Sequence, residues 1–160
     1  MGYKDEFSLD LRLFLTAYPW RRIDPVPWTP LRKPLSECRV ALISSASFIL
    51  PGQEPFDESA RGGDPTFREI PSETDVRDLI DTHPSKNFDH AGVRKDPNMA
   101  LPIDRVRELV ERGRIGSVNT RHFSFRGAIL APGRLMRDTA PVAARSLVED
   151  GVDVALLVPV

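Results

Sequence analysis

The 160-residue chain has one cysteine, Cys38, which excludes an internal disulfide and fits a reducing compartment. It lacks an excess of charge of either sign: 22 basic and 23 acidic residues leave a formal net charge of -1. Such a balance supplies no field for gripping a phosphate backbone, so a nucleic-acid partner is not expected. No apolar run approaches the roughly 20 residues that span a bilayer, so no membrane association is expected. The first ten residues carry Lys4, Asp5, Glu6 and Asp10, which a secretory signal does not tolerate, and the expected location is cytoplasmic. Phosphate-loop, dinucleotide and GxSxG signatures are absent; Gly62-Gly63 is only a pair that permits a turn. There are no repeats, low-complexity tracts or heptads.

Proline, by contrast, is abundant at 15 residues, and it clusters. One group runs from Pro19 to Pro34, a second from Pro51 to Pro71 and a third from Pro84 to Pro102. Regular elements therefore alternate with long, stiff connections, which in a compact domain are usually functional or packed on a partner. Residues 8–18 have the apolar spacing of a short helix behind Ser8, followed by an extended arm with Trp20 and Trp28. This divides the chain into an N-terminal helix and arm, residues 1–37, and a main domain, residues 38–160. The large apolar surface of the arm has to dock, on its own domain or on a partner.

Within the main domain, RVALISSA at 39–46 and VDVALLVPV at 152–160 read as strands covered on both faces, as in parallel sheets. Between them the spacing predicts a long loop over 47–71, a short helix over 74–82 and a second loop over 83–102. A helix over 103–113 begins at Pro102, extended pieces follow near 115–118 and 122–125, and another helix covers 133–150. The expected fold is α/β: an open, mostly parallel sheet flanked by helices, with long proline-rich loops. Ligands of such sheets sit at the carboxyl ends of the strands.

Several residues carry candidate chemistry. Asp64 and Arg68, behind Gly62-Gly63, form either a carboxylate clamp, with Arg68 as a planar fork, or an internal pair that stiffens the loop. His122, between hydrophobic neighbours in HFSF, is either a tuned general acid or a hydrogen-bonded core histidine. Asp96-Pro97-Asn98 is a turn signature. His83, Asp89, His90 and Asp96 crowd one loop but match no established ligand spacing, so no metal is expected. Cys38 opens a strand with no cysteine or histidine beside it, a spacer rather than a nucleophile.

Taken in order, PFD at 55–57, GGDPTFREIP at 62–71, FD at 88–89, DPN at 96–98 and PIDRVRELVERGRIGSV at 102–118 resemble one family. HFSFRG at 122–127 and EDGVDVALLVPV at 149–160 extend the similarity, which runs from about Val40 to Val160. The family is the selenoprotein B component of the glycine/betaine/sarcosine/D-proline reductases. The resemblance implies reductive cleavage of a C–N bond alpha to a carboxylate, by a selenolate or thiolate with a thiol/disulfide couple. It also implies that this nucleophile follows the last strand, immediately after Val160, so that these 160 residues contain no catalytic nucleophile. A truncation at a selenocysteine codon is the expectation, and the isolated chain is then inactive. Asp64, Arg68, Asp89 and Asn98 are the substrate-binding residues the resemblance suggests, for a small amine or carboxylate substrate. Other reductase subunits or a second copy are the expected partners, a thiol the electron donor, and no further cofactor is expected. The alternative is a non-catalytic interaction module that docks on a partner subunit.

Overall fold

A computed structural model describes residues 7–20 and 22–160; the charged start through Glu6, and Arg21 in the arm, lie outside the described residues. The chain forms two compact units, residues 1–30 and 31–160. In the first, Ser8 precedes helix α1 (Leu9–Ala17), as its spacing predicts. The indole N–H of Trp20 donates to the Leu15 carbonyl at 2.8 Å and its ring packs on Tyr18 at 4.7 Å, so its polar edge is satisfied locally.

The second unit is a mixed sheet, mostly parallel, flanked by helices. Its central strand β1 (Arg39–Ser44) is buried on both faces, as the apolar run predicts. Along one edge it pairs in parallel with β5 (Ser117–Val118) and then with β6 (Arg121–Phe125). Those two pieces act as one strand interrupted at Asn119 and Thr120, because the offset in register grows from Arg39↔Ser117 to Ile43↔Phe123. The gap in the ladder is closed by a side chain: the Leu42 N–H donates to His122 Nδ1 at 3.1 Å. On the far side of β6 lies the antiparallel β3 (Phe67–Pro71). On the other edge of β1 lies β7 (Val154–Val158), parallel and paired over its whole length.

Alternation of side chains sorts the core into two layers. Val40, Leu42 and Ile70 face α3 (Ile103–Glu111), with Leu101, Ile103 and Val106 packed on them. Ala41, Phe123 and Phe125 face α4 (Ala140–Glu149), meeting Ala143 and Leu147. A π-helical turn, Leu135–Thr139, leads into α4 and places Pro141 in its first turn, where the missing N–H costs nothing.

Three elements differ from expectation. The loop over 47–71 contains β3 and a two-residue strand β2 (Phe48–Ile49), which pairs with β4 (Ile80–Asp81). The segment 74–82 is a single 3₁₀ turn, Val76–Asp78, capped by Asp75, followed by β4 rather than a helix. The loop over 83–102 holds α2 (His90–Lys95), for which Asp89 is the N-cap, accepting from the Gly92 N–H at 2.9 Å. The last strand is also not buried: β7 pairs only with β1 among the described residues, and Leu157 is 67% exposed. An edge strand and a central one carry the same apolar run; only the neighbour that covers the second side tells them apart.

Candidate functional site

The parallel strands β1, β6 and β7 end together, and the segments leaving them are welded by serines. Ser44 Oγ donates to the Ala100 carbonyl at 2.6 Å, and Ser45 Oγ accepts from the Val160 N–H at 3.0 Å. Ser47 Oγ accepts from the Gly127 N–H at 3.0 Å, while its own N–H donates to the Phe125 carbonyl. Ser47 (φ 57°) and Ala128 (φ 56°) both hold left-handed backbone, a conformation side chains resist. Strain of this kind gathers at functional sites and persists only where its surroundings enforce it.

Beside these welds opens a cleft of about 480 Å³, lined among others by His83, Phe88, Asp89, Ala100, Ala128 and Val160. It sits where the open-sheet rule places ligands. His83 stacks on Phe88 at 4.2 Å, and His90 meets the same ring edge-on at 5.1 Å. The two imidazoles are in different states. His90 Nδ1 lies 2.5 Å from Asp81 Oδ2 and Nε2 lies 3.0 Å from the Ser85 carbonyl. Both partners are acceptors, an arrangement that favours the doubly protonated ring, and the Asp81 hydrogen bond raises its pKa. His83 Nδ1 instead accepts from the Ser85 N–H at 3.2 Å, which puts the proton on Nε2. That Nε2 is buried without an acceptor. Burial lowers the pKa of His83, and the positive charges of His90 and Arg126 lower it further, against an opposing pull from Asp81.

The residues singled out from sequence do not assemble into one site. Asp64 is buried and accepts from the Asp57 N–H, the Thr66 N–H and the Thr66 hydroxyl, each within 2.8 Å. Burial opposes its ionisation, but these donors prevail and its pKa is lowered. Arg68 spends its fork on the chain: Nε donates to the Glu54 carbonyl, Nη2 to the Pro55 carbonyl and Nη1 to the Thr66 hydroxyl and Phe67 carbonyl. Its guanidinium also lies 4.4 Å over the Phe56 ring. Asn98 joins the start of α3 to the turn before it, donating to Asp104 Oδ2 at 2.9 Å and accepting from the Asp104 N–H. Asp89 alone of the four lines the cleft.

His122 is wholly buried, and burial lowers its pKa to about 4, so the ring is neutral while it fills the ladder gap. That geometry favours the core-histidine reading over the acid. Cys38 is buried at the amino end of β1, opposite the cleft, with Sγ 3.3 Å from the Pro34 carbonyl. Among the described residues no three His, Cys, Asp or Glu side chains gather to hold a metal ion. None of the helices in these residues is long and apolar enough to cross a membrane.

Reasoning from sequence missed Arg126. It follows β6, and the alternation that turns Phe123 and Phe125 toward α4 turns His122, Ser124 and Arg126 the other way. Arg126 is 9% exposed, and among the described residues no hydrogen bond or ion pair engages its side chain. The alternation in HFSFRG was the available signal.

Comparison with known proteins gives this geometry its context. The family model for glycine/sarcosine/betaine reductase selenoprotein B matches residues 8–159. The chain belongs to that family. Among curated relatives, the D-proline reductase subunit gamma of Acetoanaerobium sticklandii is 35% identical over 136 residues, 84% of this chain and 54% of that protein. The sarcosine reductase complex component B subunit beta of Peptoclostridium acidaminophilum is 30% identical over 150 residues, 90% of this chain and 33% of that protein. The glycine reductase complex component B subunit gamma of Carboxydothermus hydrogenoformans is 28% identical over 147 residues, again 90% and 33%. The chain thus spans about half the length of the first and a third of the other two. No solved structure matches it.

Proposed function

We propose that this chain builds the substrate cleft of a selenoprotein B-type reductase, which cleaves the C–N bond alpha to a carboxylate in an amino acid or betaine-like substrate. The observation that carries the reading is the cleft at the joined ends of β1, β6 and β7, with Val160 on its wall. In this scheme a selenolate or thiolate attacks the alpha carbon, a chalcogen–carbon bond forms, and the amine departs with the electron pair of the broken bond and a proton. A thiolate then attacks the chalcogen: a chalcogen–sulfur bond forms, and the chalcogen–carbon bond breaks with its electron pair going to carbon. The carbon takes a proton as the reduced carboxylate leaves. Cys38, buried at the other end of the sheet, does not serve as the nucleophile, so these residues contribute binding and positioning. Phe88 and Ala100 give the cleft apolar walls that shed water from the reacting carbon, and Asp89 supplies a negative charge for the amine.

The test is a chimera joining this chain to the part of the A. sticklandii subunit that lies outside the match. Its substrate-dependent oxidation of dithiothreitol is followed with glycine, sarcosine, betaine and D-proline. Turnover with one of them, lost when Phe88 is changed to Asp, supports the reading. A folded chimera inert with all four contradicts it.

Docking on another subunit is a second reading, favoured by one specific observation. Beside the free edge of β7 runs an apolar groove of about 400 Å³ between α4 and the sheet, lined by Ile43, Phe125, Leu135, Ala143, Leu147 and Leu157 among others. The named relatives are subunits of reductases, and a partner subunit is the occupant this reading assigns.

A further inference from the structure

We infer that Arg126 and His83 together form an anion site that takes the carboxylate of a zwitterionic amine substrate, with Asp89 facing its ammonium end. The inference rests on the proposed reductase reading for its ligand class and goes beyond it in naming the residues.

The argument starts from unspent donors. A guanidinium taken out of water without a counter-charge is costly, so buried arginines are normally paired. Arg121 holds Asp150 through two hydrogen bonds of 2.8 and 2.9 Å, Arg107 holds Asp104 at 2.8 Å, and Arg68 is consumed by its own loop. Arg126, at 9% exposure, has no such partner among the described residues. Of the buried side-chain donors without a partner, the one beside the cleft is the Nε2–H of His83, a side chain equally buried at 9%. The two are neighbours, because Gly127, which follows Arg126 in the chain, packs directly against His83 Nε2.

Between them the chain passes through Gly127, where a β-carbon would overlap both His83 Nε2 and the Ser45 carbonyl. Glycine thus lets the turn after β6 close against the imidazole, and the strained Ala128 that follows lines the cleft together with His83. Two unspent donors on neighbouring segments, one a planar fork and one a neutral N–H, suit the two oxygens of a carboxylate. The cleft lining has one acidic residue, Asp89, whose carboxylate suits the positive end of the same ligand. Arg68 lacks this freedom, although it was the arginine that the sequence motif singled out.

The test titrates the full chain with sodium acetate at constant ionic strength and follows the Arg126 Nε–H, His83 Nε2–H and Gly127 amide signals by ¹H–¹⁵N NMR. The expected result is a saturable shift of all three. Arg126→Met should weaken acetate by about tenfold or more, while Arg68→Met should leave its affinity within about twofold. Unmoved Arg126 and His83 signals in the unaltered chain overturn the inference, whatever the variants do. So does wild-type acetate affinity in a folded Arg126→Met protein, or a response to inorganic phosphate but not to acetate. The titration involves no turnover, so its failure would leave the reductase reading to the chimera, and an inert chimera would leave the anion site standing.

Discussion

Asp64 and Arg68 meet through a third residue rather than directly: the Thr66 hydroxyl donates to Asp64 Oδ1 at 2.7 Å and accepts from Arg68 Nη1 at 3.0 Å. With the Glu54 and Pro55 carbonyls on the other side of the guanidinium, this fixes the loop from Glu54 to Phe67 onto the start of β3. The motif GGDPTFREIP is therefore a folding device first. Arg68→Met removes hydrogen bonds from a charged donor and should cost about 2 kcal/mol in urea unfolding. Thr66→Val should cost about 1 kcal/mol, and the two effects should be non-additive, because the arginine and the hydroxyl share one network.

The three histidines should titrate in a fixed order. His90 is held charged by Asp81, so its pKa lies above the ordinary value, and His83 lies below it. His122, wholly buried, lies lowest, at about 4. Imidazole signals followed by NMR across the acid range should change in the order His90, His83, His122 as pH falls. Asp81→Asn should remove the upward shift of His90 and leave His122 where it is.

Acid stability should carry the signature of His122. Its folded pKa of about 4 lies below the ordinary 6.5, so the unfolded chain binds this proton first. The stabilisation is complete above 6.5 and is lost as pH falls from there toward 4, on the order of 3 kcal/mol in all. His90 acts with the opposite sign: its contribution is present below 6.5 and fades as pH rises through its raised folded value. His122→Asn, which keeps an acceptor for the Leu42 N–H but cannot titrate, should flatten the acid slope of unfolding free energy. An unchanged slope would remove His122 from the account.

Gly127→Ala tests the closure of the turn beside the cleft. The added methyl would collide with His83 Nε2 and with the Ser45 carbonyl, a backbone atom at the welded strand ends. A loss of about 1–3 kcal/mol in thermal or urea unfolding is expected, with the His83 imidazole signal displaced. Gly113→Ala is the contrasting control for space: nothing crowds that position, and its cost comes from the left-handed backbone alone.

Much of the fold was legible because its elements follow strong periodicities. The run from Arg39 to Ser44, the spacing of Ile103, Val106 and Val110, and the apolar end of the chain each produced an element of the expected type. β3 escaped because FREIP carries Arg and Glu within the strand; they are tolerated there because Arg68 turns to the loop and Glu69 reaches Arg121. The edge position of β7 escaped because coverage is a property of neighbours, not of the strand. The resemblance pointed to Arg68, but whether an arginine is free depends on which carbonyls the folded loop brings to it. Arg126 is informative through a missing partner, and the alternation in HFSFRG fixes only the face on which it stands. His83, set aside with the metal-like cluster, matters through the one nitrogen that Ser85 leaves unpaired.

The central claim is that substrate enters the cleft at the carboxyl ends of the strands. It is tested most directly by titrating the full chain with sarcosine and mapping the ¹H–¹⁵N shifts of backbone amides. The account predicts saturable shifts concentrated at Phe88, Asp89, Ala100, Ala128 and Val160, with the loop from Glu54 to Phe67 unmoved. Shifts confined to that loop, or none at saturating sarcosine, would contradict it.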